Sequence, residues 1–284
     1  MWNDSLRIGV DKIDEQHKTL FLKVGHLIDD IIDTGEYQKE KIISTILFLK
    51  EYAVTHFADE EAYQISINDK NYLKHKKMHE NFVATVLRHE KKMVESDFAY
   101  KDVSKFAGTL LAWLTYHVSD VDQKIGKATA DDIDDSENYA DIICDCFCDM
   151  ISNITNINKD AIVKVDEHDE VFNDSITIKH SFTHIIKGYV VFYYSFSFIN
   201  KLIYGLIDTP HEENEIGSFE ENFLLQISTM AVENVYRRLY VDEYEVDEAE
   251  ISVIPNDEKA KTIPQKIVAF DTELGIVEVG FSVT

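Results

Sequence analysis

From residue 11 to about residue 126 the apolar residues recur at helical spacing, with almost no strand-like alternation. Turn-like clusters interrupt them at Thr34-Gly35, at Asn68-Asp69-Lys70-Asn71 and at Ser96-Asp97. Three breaks leave four helices, expected over approximately 11–33, 38–64, 70–95 and 102–120. Connections this short force neighbouring helices to run antiparallel, so the expected fold is an all-α up-down four-helix bundle.

Past the bundle the texture changes. After Lys127 to Ala130 comes a small acidic break, Asp131-Asp132-Ile133-Asp134-Asp135. With 284 residues and a prior of ~150 per domain, we place a boundary there: 1–130, an acidic linker at 131–135, and a second domain over 136–284. A helical stretch from Ser136 to Ile154 precedes strand-like runs at Ser175 to Lys179, Gly188 to Tyr194, Ala249 to Ile254, Lys266 to Asp271 and Ile276 to Val283. Helical patterns recur at Phe198 to Leu206 and Phe219 to Leu239, so this half is expected to be α/β or α+β, without a Gly-rich phosphate loop or an internal repeat.

The charge balance narrows the partners. Against 28 Lys and Arg stand 53 Asp and Glu, a formal charge of -25. Such a surface repels phosphate backbones and anionic membrane faces, which argues against nucleic acid and against a membrane. Apolar runs such as Tyr189 to Tyr194 fall far short of the ~18 residues a membrane span needs, and the opening MWNDSLRIGV lacks the regions of a signal peptide. The cysteines, Cys144, Cys146 and Cys148, are odd in number and packed together, which suits a reducing, cytoplasmic setting. They read as small buried hydrophobes and not as a metal or redox site. The acidic run Val241 to Glu250 reads as a solvated loop or edge strand.

The histidines carry the chemistry. Seven of eleven lie in the first 120 residues. His56 and Glu60 are four apart, as are His75 and His79, so each pair projects from one helix face. His17, His117 and Asp122 complete the set. His117 and Asp122 are five apart, ~140° off-face on a regular helix, which places Asp122 at a frayed or tightened helix end. At ~1.5 Å per residue, His17 and His56 lie roughly 27 and 31 Å from the first connection, and His79 and His117 each roughly 27 to 30 Å from Asp97. Glu60 and His75 flank the second connection at roughly 6 to 9 Å. All four helices thus bring ligands to one layer. A lone helical histidine is usually a surface or satisfied core residue, and His26 and His89, outside the pattern, are read that way.

Five imidazoles and two carboxylates in a bundle core form a di-iron type of set, because carboxylates bridge cations and imidazoles suit first-row metals. An iron with three imidazoles, two bridging carboxylates and an oxo or hydroxo bridge is saturated. One with two imidazoles keeps a vacancy, enough for a small diatomic molecule.

The segments Ile13-Asp14-Glu15-Gln16-His17-Lys18, His56-Phe57 with Glu60-Glu61, His75-x3-His79 and Trp113-Leu114-x2-His117-x4-Asp122 resemble the bacterial hemerythrin family over residues 1–127. The resemblance implies two iron ions: His75, His79 and His117 on the saturated one, His17 and His56 on the open one, Glu60 and Asp122 bridging. It implies reversible dioxygen binding, with nitric oxide or azide as further ligands.

Residues 136–284 resemble the CheX type of chemotaxis phosphatase domain. The carriers are the opening helix ending near Ile157, the run Gly188-Tyr-Val-Val-Phe-Tyr-Tyr-Ser-Phe-Ser-Phe-Ile with Gly205, the long helix Leu225 to Leu239 and the closing Gly275-Ile-Val-Glu-Val-Gly-Phe-Ser-Val. Members that dephosphorylate CheY use a Glu and an Asn three residues apart on the long helix, and the best-aligned positions here are Gln226 and Thr229. Gln carries no charge for a partner lysine and Thr reaches less far than Asn. Glu233-Asn234 is adjacent, so those side chains diverge by ~100°. The two resemblances imply a cytoplasmic dioxygen or redox sensor whose second domain, without phosphatase chemistry, binds a CheY-type response regulator or another partner or forms a homodimer. The alternatives are a dioxygen-regulated phosphatase of phosphorylated CheY and a storage or scavenging protein.

Overall fold

The computed structural model describes residues 2–34, 38–127, 139–166, 175–182, 187–207, 216–238, 251–255, 258 and 264–283. The acidic linker 131–135 and the acidic run 241–250 lie outside the described residues. The chain divides into two compact units, Met1–Ala130 and Asp131–Thr284.

The first unit is the expected four-helix bundle: α1 (Asp11–Thr34), α2 (Lys39–Ser66), α3 (Tyr72–Glu95) and α4 (Tyr100–Tyr116). Each buries a stripe at helical spacing, such as Ile13, Leu20, Val24, Leu27 and Ile31 on α1 and Ile42, Ile46, Leu49 and Phe57 on α2. The breaks work through backbone chemistry. Asn68 ends α2 at φ 53 and Asp97 ends α3 at φ 51, the left-handed region that Asn and Asp tolerate best after Gly. In both, the turn closes with a six-residue and a nested four-residue hydrogen bond: Asp69 N–H to Gln64 C=O (2.9 Å) with Asn68 N–H to Ile65 C=O (3.1 Å), and Phe98 N–H to Met93 C=O (2.6 Å) with Asp97 N–H to Val94 C=O (3.2 Å). Phe98 and Met93, the positions whose apolar side chains usually accompany this cap, are both buried.

The second unit holds α5 (Tyr139–Thr155), β1 (Val163–Asp166), β2 (Ser175–Phe182), β3 (Gly188–Ser195), α6 (Phe196–Ile207), α7 (Ser218–Arg238), β4 (Ile251–Ile254), β5 (Lys266–Thr272) and β6 (Gly275–Val283). The strands make one six-stranded sheet in the order β1-β5-β6-β3-β2-β4. Every pairing is antiparallel, which settles the α+β alternative over a parallel α/β one. The helices cover the face carrying Phe192, Tyr194 and Phe270: Phe147 of α5 lies 5.5 Å from Phe192 and 5.8 Å from Phe270, and the Tyr194 hydroxyl is 2.9 Å from Ser228 Oγ of α7. On β6, Gly280 is required because the Pro264 ring fills the space a Cβ would need.

Strand β1 escapes the sequence reading. Val163 and Val165 are 56 % and 40 % exposed, so the Val-Lys-Val-Asp alternation presents its apolar side to solvent at a sheet edge, and only pairing with β5 makes it a strand. The three cysteines are free and buried in α5. Burial pushes Cys144 and Cys148 up to about 12 and Cys146 up to about 11, which makes them inert thiols.

Candidate metal centre

All seven residues singled out in the bundle are buried and meet at one level. His17 comes from α1, His56 and Glu60 from α2, His75 and His79 from α3, and His117 and Asp122 from the two turns that continue α4. Each histidine turns Nε2 inward. His17 and His56 approach at 3.2 Å, His75 and His117 at 3.2 Å, and His79 and His117 at 3.1 Å.

The carboxylates lie between these groups. Asp122 directs Oδ2 at His17 (3.2 Å) and Oδ1 at His75 (3.2 Å) and His117 (3.1 Å). Glu60 directs Oε2 at His79 (3.2 Å), His75 (3.4 Å) and His56 (3.8 Å), and Oε1 at His17 (3.9 Å). Donor atoms close enough to share one cation fall into two groups, His17-His56-Glu60 and Glu60-His75-His79-His117, with Glu60 in both.

Asp122 reaches the centre through a change of helical pitch. The frayed or tightened helix end expected from the spacing is not what forms: the backbone from His117 to Val121 widens into a π turn, with Asp122 N–H donating to His117 C=O. That i to i+5 closure brings residues five apart onto one side. A tightened turn, Asp122–Lys124, begins only after it.

Donor chemistry and electrostatics fit cations. Two carboxylates are buried with imidazole nitrogens as neighbours, and among the described residues no Lys or Arg side chain pairs with either. Burial alone would raise the pKa of Asp122, yet His117 and the hydrogen bonds from His17 and His75 hold it well below the ordinary carboxylate range. Glu60 is likewise lowered against its burial and the charge of Asp122, by His75 and His79. Burial drives His56 down to about 4, whereas at His75 the two carboxylates outweigh burial and raise it to about 10. Ionised oxygens and inward imidazole nitrogens are what two first-row cations require, and the proton that the carboxylates hold on His75 is the one a cation would replace.

Behind the ligands stands a layer that spacing does not reveal. His56 Nδ1 lies 3.0 Å from Gln16 Oε1; Gln16 Nε2 donates to Asp59 Oδ2 (2.8 Å), and Lys12 Nζ donates to Asp59 Oδ1 (2.8 Å). His75 Nδ1 faces Gln64 Nε2 at 3.0 Å, and Gln64 Nε2 donates to Asp69 Oδ2 (3.3 Å). Glu61 Oε1 stands 3.5 Å from His79 Nδ1. The Gln16 and Glu61 oxygens can accept from Nδ1–H of His56 and His79, the tautomer that leaves Nε2 free, and the Gln64 amide fixes the orientation of the His75 ring. The one sequence signal was their position: Gln16 adjoins His17, and Asp59 and Glu61 adjoin Glu60. His26 is exposed and His89 packs against Thr109 (3.1 Å), both away from the centre.

In the second unit Gln226 and Thr229 are both half-buried on α7, and Thr229 Oγ1 donates to the Leu225 carbonyl of its own helix at 2.8 Å.

Comparison with hemerythrins agrees with the geometry of the first unit. The Hemerythrin HHE cation binding domain matches residues 8–128. Bacteriohemerythrin of Clostridium acetobutylicum is 30% identical over 126 residues, covering 44% of this chain and 96% of that protein. Bacteriohemerythrin of Pseudomonas aeruginosa is 31% identical over 125 residues, covering 43% and 76%, and myohemerythrin of Riftia pachyptila is 25% identical over 124 residues, covering 44% and 88%. Among solved structures, a CheC-like superfamily protein from Shewanella sp. PV-4 is similar with a TM-score of 0.37 and 12% identity, over 54% of this chain and 96% of that one. A di-iron centre is what the matched domain and its relatives imply, and the buried histidines and carboxylates are able to hold it. Through residues 8–128, the chain belongs to the hemerythrin family.

Proposed function

We propose that the chain is a cytoplasmic dioxygen or redox sensor, in which the centre of the first unit governs what the second unit binds. The observation that carries this reading is the convergence of five Nε2 atoms and two carboxylates from four helices on one buried point. His75, His79 and His117 would hold one iron and His17 and His56 the other, with Glu60 and Asp122 shared. Such a pair of irons supplies reversible binding of dioxygen or of a comparably small ligand, nitric oxide or azide. The residues do the rest. Gln16 and Gln64 orient imidazoles, and the stacked Phe57 on His79 (3.7 Å) and Trp113 on His117 (4.2 Å) exclude water.

The domain division at 131–135 and the CheX-like character of 136–284 belong to the same proposal. The second unit binds a response regulator of the CheY type or another signalling partner, or pairs with a second copy, and carries no phosphatase chemistry. Support for the last point lies on α7: Gln226 has no charge and the Thr229 proton is committed to Leu225. Among the described residues no helix is long and apolar enough to cross a membrane.

An absorption spectrum of the purified chain before and after air tests the first half, because an oxygen-bridged di-iron site has strong charge-transfer bands; an unchanged, featureless spectrum refutes it. Phosphate release from phosphorylated CheY tests the second half. Background rates are expected from the parent, and Gln226→Glu with Thr229→Asn should restore hydrolysis if the surface still docks a response regulator, since i and i+3 are neighbours on a helix. An enzymatic rate in the parent would promote the phosphatase reading.

A further inference from the structure

Tyr52 stands one helical turn before His56 and two before Glu60 on the inward side of α2. Its ring stacks on His56, centroids 4.6 Å apart and planes 29° from parallel, and Phe48 and Phe57 flank it at 5.8 and 6.5 Å. The residue is 8 % exposed, and its hydroxyl is buried with no hydrogen-bond partner among the described residues. An unpaired buried hydroxyl is destabilising, and a phenylalanine in the same place would avoid that. Packing therefore gives no reason for the oxygen. Through its stack on His56 the ring borders the metal layer on the side of that histidine.

We propose that the Tyr52 hydroxyl donates a hydrogen bond to the small ligand held on the His17–His56 side of the centre, and so selects ligands that can accept one. A phenol is protonated at neutral pH and is a donor. The stack on His56 fixes the direction in which it points, and in a dry apolar setting a single donor discriminates strongly between acceptors and non-acceptors. The ligand class is a small anion or diatomic molecule with an outward lone pair. The inference rests on the di-iron reading, because without iron no ligand is held there.

Azide is the probe. The full chain, loaded with iron, is titrated with azide for the parent and for Tyr52→Phe, and the thermal unfolding of both metal-free chains is compared. Tyr52→Phe should keep its iron, bind azide about 3- to 10-fold more weakly and move the azide band, while its metal-free form unfolds at the same or a higher temperature. A variant that loads iron and matches the parent in azide affinity and band overturns the proposal. Should the substitution lose iron, the parent alone decides: the azide stretch shifts on transfer to D₂O if a donor is present, and an unmoved stretch refutes the donor. A parent that takes up no iron fails the di-iron reading itself, and this inference with it.

Discussion

Gln64 Nε2 lies 3.3 Å from Asp69 Oδ2, and the same carboxylate oxygen accepts the backbone N–H of Gly126 at 3.2 Å. The cap of α2 creates the first contact, since its six-residue closure sets residues 64 and 69 side by side. The second pins the end of the bundle, at a glycine with φ 73, to the α2–α3 connection. A short chain of side chains therefore leads from His75 through Gln64 and Asp69 to the last residues of the first unit.

Asp69→Ala should release that end without emptying the centre. Amide exchange at Gly126 and Asn71, whose N–H also donates to Asp69 at 2.9 Å, should quicken about tenfold, in line with ~1 kcal/mol for a hydrogen bond. Asp69→Asn, which keeps an acceptor, should fall between. Exchange measured by mass spectrometry or NMR decides it, and equal rates in parent and Asp69→Ala would show that the contact holds nothing.

His117→Ala should lower iron content and bundle stability together, since metal binding is linked to folding. His26→Ala, on an exposed position, should change neither. Two irons per chain retained in His117→Ala would remove this histidine from the ligand set.

Gln16→Leu removes the acceptor behind His56 Nδ1 and frees Asp59 from one donor. Loss of such a supporting group typically weakens metal affinity about 10- to 100-fold. Asp59→Asn, which retains an oxygen for Gln16, should cost less than about tenfold. Competition with a calibrated chelator reads both; affinity untouched in Gln16→Leu would show that the His56 ring is held by packing alone.

The His89 imidazole gives a pH signature separate from the metal. Burial first, then Lys92, Arg88 and Lys105, lowers it to about 4, whereas the unfolded chain takes up its proton near pH 6.5. In that window the unfolded state binds more protons, so the stability contributed by neutral His89 is complete above pH 6.5 and is lost as pH falls toward 4, by an amount on the order of 3 kcal/mol. His89→Gln should show a flatter decline than the parent between pH 7 and 4.5 in urea unfolding. Parallel curves would refute the assignment.

Period and residue type, both local, were enough to read the four helices, their antiparallel course and the seven inward side chains, because a buried stripe repeats every turn and histidines four apart share a face. The strands β2, β3, β4, β5 and β6 were legible in the same way, as runs rich in Val, Ile, Phe and Tyr between turns. What tertiary structure decided was everything that depends on two distant segments meeting. Pairing with β5, about a hundred residues later, makes Val163–Asp166 a strand although its own apolar residues face solvent. The spacing of His117 and Asp122 pointed to an irregular helix end, but that it widens at His117–Val121 and does not tighten shows only where Asp122 meets His17 of α1 and His75 of α3. Gln16 behind His56 and Gln64 behind His75 follow the same logic. Whether a polar side chain on one helix finds an atom on its neighbour is fixed by helix packing and rotamer, and neither is written in the spacing of residues along one chain segment.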